Sequence, residues 1–349
     1  MAKYRIAWMP GDGVGVEVAE AAKLVLDTLK FDAEYIFGEI GWSCWEKYGD
    51  ALPQKTIEIL KDTDCGFFGA ITSKPKVKGY RSPIVRMRQM FDLYICLRPA
   101  KAYPGNPLNY RDNIDIVVFR ENTEGLYAGV EFYPVPEEML KIPGMEKVSK
   151  DAAISLKVIT PKASERIIRA AFEYAKKKGR KKVTVVHKAN VVRYTDGLFL
   201  EIAEKVAKDY PEIEMTDANI DAMGMWLIKD PEKWEVLVTT NLFGDIISDL
   251  AAQLVGGLGF AYSGNIGDNY AVFEPTHGSA PKYAGQYKVN PIATILAARM
   301  MLDWLGEQEM ADRLENAVAE VIREGKVRTY DMGGTSSTME MAEAIAEKL

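Results

Sequence analysis

Cysteine is scarce in this chain. Its 349 residues hold only Cys44, Cys65 and Cys96, an odd number set far apart, which leaves neither a disulfide framework nor a zinc-binding spacing. Cys65 and Cys96 sit in apolar, strand-like runs, so we expect reduced core thiols and a cytoplasmic protein. Nothing near His187 completes a metal set, and it reads as a core or supporting residue. No apolar run reaches membrane-spanning length and no secretory leader is recognisable, so no membrane partner is expected. Internal repeats and low-complexity segments are absent too. Basic residues are not in excess: 44 Lys and Arg face 50 Asp and Glu, a net charge of −6, which gives no footprint for nucleic acid. A basic site must therefore be local, built to hold an anionic ligand within an acidic protein.

What is present is an ordinary globular composition, 48% hydrophobic and 27% charged, over a length that one core seldom fills. Two domains or lobes are expected. The stretch from Val236 to Gly259, VLVTTNLFGDIISDLAAQLVGGLG, organises the rest. Its β-branched start suits a buried strand, and Asp245 to Val255 has helical spacing, with Asn241 and Gly244 marking a turn between them. On that helix Asp245 and Asp249 leave one face a turn apart. Like charges so placed repel, and a hard divalent cation such as Mg²⁺ or Mn²⁺ would offset them. A bare pair of this kind is more often a solvated face, but this one opens a helix directly after a buried strand, where α/β enzymes place their sites.

The first strand runs into Gly11, Asp12, Gly13, Val14 and Gly15. This loop falls one residue short of the dinucleotide fingerprint, and it reads as a tight turn close to a ligand or another backbone. Arg98 follows an apolar run and precedes Pro99, which predicts a strand terminus. Arg120 ends a second strand in the same manner, and Arg88 lies on the preceding helix. Three forked donors at such boundaries point to a polyanion site. Residues 131 to 152 are rich in proline and charge and read as a projecting arm. SLKVIT is predicted as a strand, followed by a helix closed by Gly179 and a second strand ending at Lys188. The run KKKGRKK is read as a solvated helix end and not as a nucleic-acid patch. Asp221 falls just after a short polar strand.

Taken together, PGDGVG (10 to 15), LRP (97 to 99), FRENTEGLYAGVE (119 to 131), HKAN (187 to 190), NLFGDIISD (241 to 249), SGNIGD (263 to 268) and HGSAPKYAG (277 to 285) resemble the β-decarboxylating dehydrogenases. Isocitrate, homoisocitrate, 3-isopropylmalate and tartrate dehydrogenases belong to that family. The resemblance runs in order along the chain. It implies an α/β fold of two domains, of the isocitrate/isopropylmalate dehydrogenase type and not a Rossmann fold. Residues 1–98 plus 251–349 would form the large, cofactor-binding domain, and 99–250 the small domain with the dimer interface and arm. It further implies a homodimer with shared active sites. Arg88, Arg98, Arg120 and Ser82 would bind substrate, and Tyr127 and Lys188 would transfer protons. Asp245 and Asp249 would hold Mg²⁺ or Mn²⁺ together with Asp221 from the other subunit.

Cofactor contacts implied by the resemblance are Thr72, Glu274, His277, Gly278, Lys282, Tyr283, Asn290 and Tyr330. Lys282, Tyr283 and Tyr330 resemble the 2′-phosphate contacts of NADP-dependent isocitrate dehydrogenases, with NAD the alternative; Gly334 departs from that pattern, where an arginine is frequent. Ser82 matches a serine that meets a γ-carboxylate, whereas Ile84 stands where asparagine is usual. The expected reaction is oxidative decarboxylation of isocitrate with reduction of NADP. Homoisocitrate is the close alternative, then 3-isopropylmalate. A non-catalytic regulatory subunit would lack part of the charged set, and an anion-binding module would have no use for tyrosine, lysine and metal together.

Overall fold

The computed structural model describes residues 2–349 apart from 75, 76 and 78, so Pro75, Lys76 and Lys78 of the basic segment before Ser82 lie outside the described residues. One ten-stranded sheet runs through the molecule. From edge to edge its strands are Ala33–Phe37, Tyr4–Gly11, Cys65–Ala70, Ala271–Pro275, Tyr262–Ile266, Ile95–Lys101, Asp115–Glu121, Val236–Thr239, Lys182–His187 and Glu214–Asn219. The first four are mutually parallel, and so are the last four. Between these halves, the pairings of Tyr262–Ile266 and Ile95–Lys101 with each other and with their outer neighbours are antiparallel. The inner parallel strands are apolar and carry helices on both faces, the pattern that parallel sheets require, whereas the edge strand Glu214–Asn219 is polar. Cys44, Cys65 and Cys96 are free thiols buried in this framework.

Side chains alternate between faces along a strand, so register decides which residues meet. Arg120 pairs with Cys96, Cys96 with Asn265, and Asn265 with Val272. Two residues further along their strands, Arg98 and Glu274 return to that same face. Four neighbouring strands thus aim Arg120, Arg98, Asn265 and Glu274 to one side. The opposite face carries Phe119 and Phe273, each packed in an apolar core. One such core is built from residues 19–29, the Ile292–Trp304 helix and the C-terminal helices; others are built from residues between Ala100 and Val255.

Two local expectations are corrected by the fold. The helix after the central strand begins at Asn241 and runs to Gln253, with Thr240 as its N-cap residue, so Asn241 and Gly244 lie inside the helix instead of in a turn. Gly244 has a different reason to be glycine: a Cβ there would come within 2.6 Å of Arg120 Cβ and Cγ. Its absence lets the helix pack onto the arginine. Arg98 lies in mid-strand, because Ile95–Lys101 continues through Pro99. Pairing to the Tyr262–Ile266 strand stops at Leu97, so from there one side of the strand is an edge, where proline is tolerated. SLKVIT (155 to 160) also forms less strand than expected: Ser155 ends the strand Ile154–Ser155, which pairs with Glu131–Phe132 in a separate two-stranded sheet at the base of the arm, and Val158 makes an isolated bridge to Gly125.

The Pro161–Lys177 helix does end through Gly179, at φ +69°, and the basic run after it meets acids, Lys178 with Asp303 and Arg180 with Asp115. That is the solvated helix end predicted. Among the described residues no helix is long and apolar enough to cross a membrane.

Candidate active site

The site grows from the polar face of the central strands. Arg120 is almost wholly buried; its Nε donates to Asn241 Oδ1 at 2.9 Å and its guanidinium pairs with Asp245. Burial lowers the pKa of this guanidinium, with Arg88 and Arg98 adding repulsion. An arginine remains charged after such a shift. Arg98 Nη1 donates to Ser248 Oγ at 2.8 Å and lies 3.2 Å from both Asp245 Oδ1 and Asp249 Oδ1. The expected pair of like charges is therefore real, and a cation already bridges it. Arg88, on the helix Pro83–Met90, donates from Nε to Asn265 Oδ1 at 2.8 Å, while Asn265 Nδ2 donates to Glu274 Oε1 at 2.7 Å.

Tyr127 closes this array. Its hydroxyl donates to Asp245 Oδ2 at 2.6 Å and the Arg120 guanidinium lies 5.0 Å from its ring centre. Burial, and then the carboxylate of Asp245, hold the phenol above its ordinary pKa. The two carboxylates differ. Burial pushes Asp245 up, but Arg120, the Tyr127 hydroxyl and Arg98 together outweigh it and leave it below the usual aspartate range. Burial raises Asp249, and Arg98 offsets that only in part.

Arg88, Arg98, Ser82, Thr72, Glu274, His277 and Gly278 line one cavity of about 500 Å³, with Phe68, Ile71 and Ile84 as an apolar wall. His277, Gly278, Tyr283, Asn290 and Tyr330 line a second, of about 510 Å³, floored by Gly256, Gly257 and Gly259. The two meet at His277 and Gly278. His277 Nε2 is buried without a hydrogen-bond partner, and burial lowers the pKa of the ring, so a neutral imidazole faces the junction. Lys282 lies outside the second cavity's lining but sits 4.6 Å from the ring centre of Tyr283, which packs against Tyr330 at 5.6 Å.

Lys188 and Asp221 stand elsewhere. They form an ion pair with each other and make no hydrogen bond or ion pair to Tyr127, Asp245 or Asp249 among the described residues. Within one chain Asp245 and Asp249 therefore lack the third carboxylate, and no group of three or more potential ligands gathers among the described residues. Two carboxylates a turn apart, with an arginine already drawn between them, fit a hard divalent cation, provided further donors come from outside the chain.

Four contributors were given no role at the site by sequence. Asn241 and Asn265 orient Arg120 and Arg88; both lie in the motifs quoted above, but Asn241 reads there as a turn residue and Asn265 sits in a strand, where register decides what it meets. Asp12 accepts from the backbone N–H groups of Trp42, Ser43 and Thr72, tying the first glycine loop to the cavity wall. Lys288 stands over Tyr330, and no local pattern announced it.

The chain has known relatives. The profile of the family described as isocitrate/isopropylmalate dehydrogenase matches residues 5–345. The chain belongs to the isocitrate/isopropylmalate dehydrogenase family. It is 46% identical to a 3-isopropylmalate dehydrogenase of Methanothermobacter thermautotrophicus, over 100% of this chain and 99% of that one. It is 47% identical to a homoisocitrate dehydrogenase of Methanocaldococcus jannaschii, over 98% and 96%. The crystal structure of isocitrate dehydrogenase from Methylococcus capsulatus superimposes with a TM-score of 0.91 at 44% identity, covering 99% of both chains. The family is one of β-decarboxylating dehydrogenases that act on small molecules and use NAD or NADP with a divalent metal. Three relatives of nearly equal identity carry three substrate names, so overall identity does not choose among them.

Proposed function

We propose that this dehydrogenase oxidises and decarboxylates isocitrate to 2-oxoglutarate and CO₂ with reduction of NADP. The observation that carries the reading is the Arg98–Asp245–Tyr127 array opening onto a cavity that also holds Arg88 and Ser82. Arg88, Arg98 and Arg120 would take the carboxylates of the malate core through forked, charge-assisted bonds. Ser82 adds a hydroxyl for a third carboxylate. A site built around such a donor rejects an alkyl group in its place, because the hydroxyl would be left unpaired. Ile84, Ile71 and Phe68 form the rest of that wall, and an apolar wall discriminates one methylene by only about 1–3 kcal/mol. Homoisocitrate is for this reason the second reading.

Asp245 and Asp249, with Asp221 of a second copy, would hold Mg²⁺ or Mn²⁺, which when bound polarises the substrate hydroxyl and the ketone that replaces it. Lys188, also from the second copy, would take the hydroxyl proton as hydride passes to the nicotinamide. Loss of the β-carboxylate as CO₂ leaves its bonding electrons on the substrate carbon as an enol. Tyr127, kept protonated by burial, would deliver the proton that converts the enol to 2-oxoglutarate. The cofactor would lie along the second cavity against His277, Gly278, Asn290, Tyr283 and Tyr330, with Thr72 and Glu274 at the junction and Lys282 favouring NADP. Residues 1–98 with 251–349 would form the cofactor domain and 99–250 the other.

A homodimer is supported by the exposed apolar residues Met225, Ile228 and Ile246 on the two helices that carry Asp221 and Asp245. Free thiols support a cytoplasmic location. Rates of NADP and NAD reduction with isocitrate, homoisocitrate and 3-isopropylmalate test the whole. Preference for 3-isopropylmalate, or for NAD, would overturn the corresponding part.

A further inference from the structure

The strand Lys182–His187 runs out of partners just before Lys188. Its pairing stops with Val186 opposite Thr239 and His187 opposite Asn219, so the N–H of Lys188 lies past the ladder and must be satisfied by another group. The acceptor is Asp196, in the first turn of the helix Thr195–Ala207. Its Oδ2 accepts from the Lys188 N–H at 2.7 Å, and its Oδ1 is paired with the ammonium of Lys157. The Asp196 side chain is wholly buried. A carboxylate at that depth needs a counter-charge. Lys157 supplies it, with its ammonium 4.5 Å from the ring centre of Phe243 on the helix that carries Asp245.

The rest of the turn is tied down as well. The Lys188 carbonyl accepts from the N–H groups of Val191 and Val192 at 3.0 and 2.8 Å, and the Val192 carbonyl accepts from that of Asp196 at 3.1 Å. His187 Nδ1 accepts from the N–H of Ala189 at 2.9 Å, which puts the ring proton on Nε2, where it is donated to Asp217 Oδ2 at 3.0 Å. Val191 and Tyr194, in the connection from Lys188 to the helix, are exposed, so polar contacts define this turn more than packing does. Stability alone gives no reason to bury a charge here, because an apolar side chain would fill the space without desolvating one. What the carboxylate adds is a fixed acceptor for the amide of Lys188.

We propose that Asp196 is a positioning residue for proton transfer: its buried carboxylate, neutralised by Lys157, clamps the backbone of Lys188 and so sets where the amine of that lysine stands. The proposal rests on the reading of Lys188 as the base that takes the hydroxyl proton. A lysine stem is long and flexible, so its amine can be held beside a hydroxyl only if the Cα from which it springs does not move. A displacement of about 1 Å at a reacting group can lower a rate by about a hundredfold.

The test separates the acceptor from the charge by removing the ion pair in two ways. Lys157→Met with Asp196→Asn keeps an oxygen for the Lys188 N–H, whereas Lys157→Met with Asp196→Leu removes it. Neither double variant leaves an unpaired charge, and buried ion pairs replaced by neutral groups are often tolerated. Turnover is measured on the full-length protein with whichever of isocitrate, homoisocitrate and 3-isopropylmalate it oxidises fastest. The first double variant is expected to keep kcat within about threefold of wild type and the second to lose about thirtyfold or more, with KM changing less than about twofold in both. Deuterium on the carbon that bears the hydroxyl should slow the second variant more than the wild type, because proton removal with hydride departure then limits the rate. Equal kcat in the two variants, or losses that follow their melting temperatures, would overturn the proposal. Lys188→Met is the reference. Unimpaired turnover by it would sink the reading of Lys188 and this proposal together, while a crippled Lys188→Met beside a fully active second double variant would sink this proposal alone. Amide hydrogen exchange on the wild type depends on no variant folding: the Lys188 amide should exchange at least about tenfold more slowly than that of exposed Asn190, and equal rates would contradict the clamp.

Discussion

Two glycine-rich stretches in this protein look alike as sequence and differ in what their glycines meet. In the first, a Cβ on Gly11, Gly13 or Gly15 would fall 2.0, 2.2 or 2.3 Å from the carbonyl oxygens of Ala70, Ser279 and Pro10 respectively. Every one of these glycines is filled against by backbone, and none faces an open cavity. In the second, Gly256, Gly257 and Gly259 border the 510 Å³ cavity, and an added Cβ would meet side chains instead, Phe260 at 2.4 Å, Gln253 at 2.9 Å and Asp331 at 2.6 Å; on Gly278, across the same cavity, it would meet nothing nearer than Ile71 O at 3.9 Å. The first loop therefore holds parts of the molecule together, and the second leaves room for a ligand. A glycine spacing shows that backbones or ligands come close; only the tertiary neighbours say which.

The sharpest contrast comes from a substitution on the open side that removes a charge and no packing. Asp249→Asn should lower kcat by about a thousandfold, equivalent to about 4 kcal/mol, if a divalent metal stabilises the transition state there. Its melting temperature should stay within a few degrees, because Asp249 is exposed and repelled by Asp245. Steady-state kinetics under saturating Mg²⁺ together with thermal melts check both halves, and full activity in EDTA would remove the metal from the account.

On the closed side, Gly11→Ala should cost about 3–4 kcal/mol of stability, from overpacking against Ala70 O and from its φ of +80°. Denaturant melts measure this. A mild effect would mean that the first loop is looser than its contacts imply.

A third test uses an ion cluster remote from both loops. Glu315 is paired with Arg299, at 3.0 Å, and with Lys101. Burial raises its pKa, but Arg299 and Lys101 more than compensate, leaving it below the usual glutamate value. A depressed folded pKa contributes stability that is complete above the unfolded value of about 4.3 and is lost as pH falls through the folded one. Glu315→Gln should thus cost about 3 kcal/mol at neutral pH, and the difference from wild type should shrink as pH drops below about 4. Urea melts at several pH values would contradict this if the difference grew on acidification.

The smallest effect is expected at Gly278→Ala, within about 0.5 kcal/mol in stability. Its consequence should show instead as a few-fold weaker cofactor affinity, read by equilibrium titration. Loss of stability with unchanged affinity would reverse the contrast between the loops.

Much of the site was legible because its charged groups sit in short motifs at element boundaries. Arg88, Arg98, Arg120, Tyr127, Asp245 and the cavity residues around His277 are brought together in the fold as those motifs implied. What failed was local reasoning about residues whose cause is tertiary. Asn241 and Gly244 carry the chemistry of a turn, yet Asn241 orients Arg120 and Gly244 makes room for it. Pro99 suggested an end to a strand, and only the shortness of the neighbouring strand explains why it continues. Asn265 gave no distinct signal, since what it meets depends on sheet register. Lys188 and Asp221 could not be placed beside Tyr127 by one chain at all, which is what a site completed by a second copy requires.

The most direct test of the account is kcat/KM measured with isocitrate, homoisocitrate and 3-isopropylmalate, each with NADP and with NAD at one Mg²⁺ concentration. The account predicts NADP reduction coupled to CO₂ release, most efficient with isocitrate, with homoisocitrate lower by about 10- to 200-fold and 3-isopropylmalate scarcely turned over. Greater efficiency with 3-isopropylmalate, or with NAD across all three acids, would contradict it.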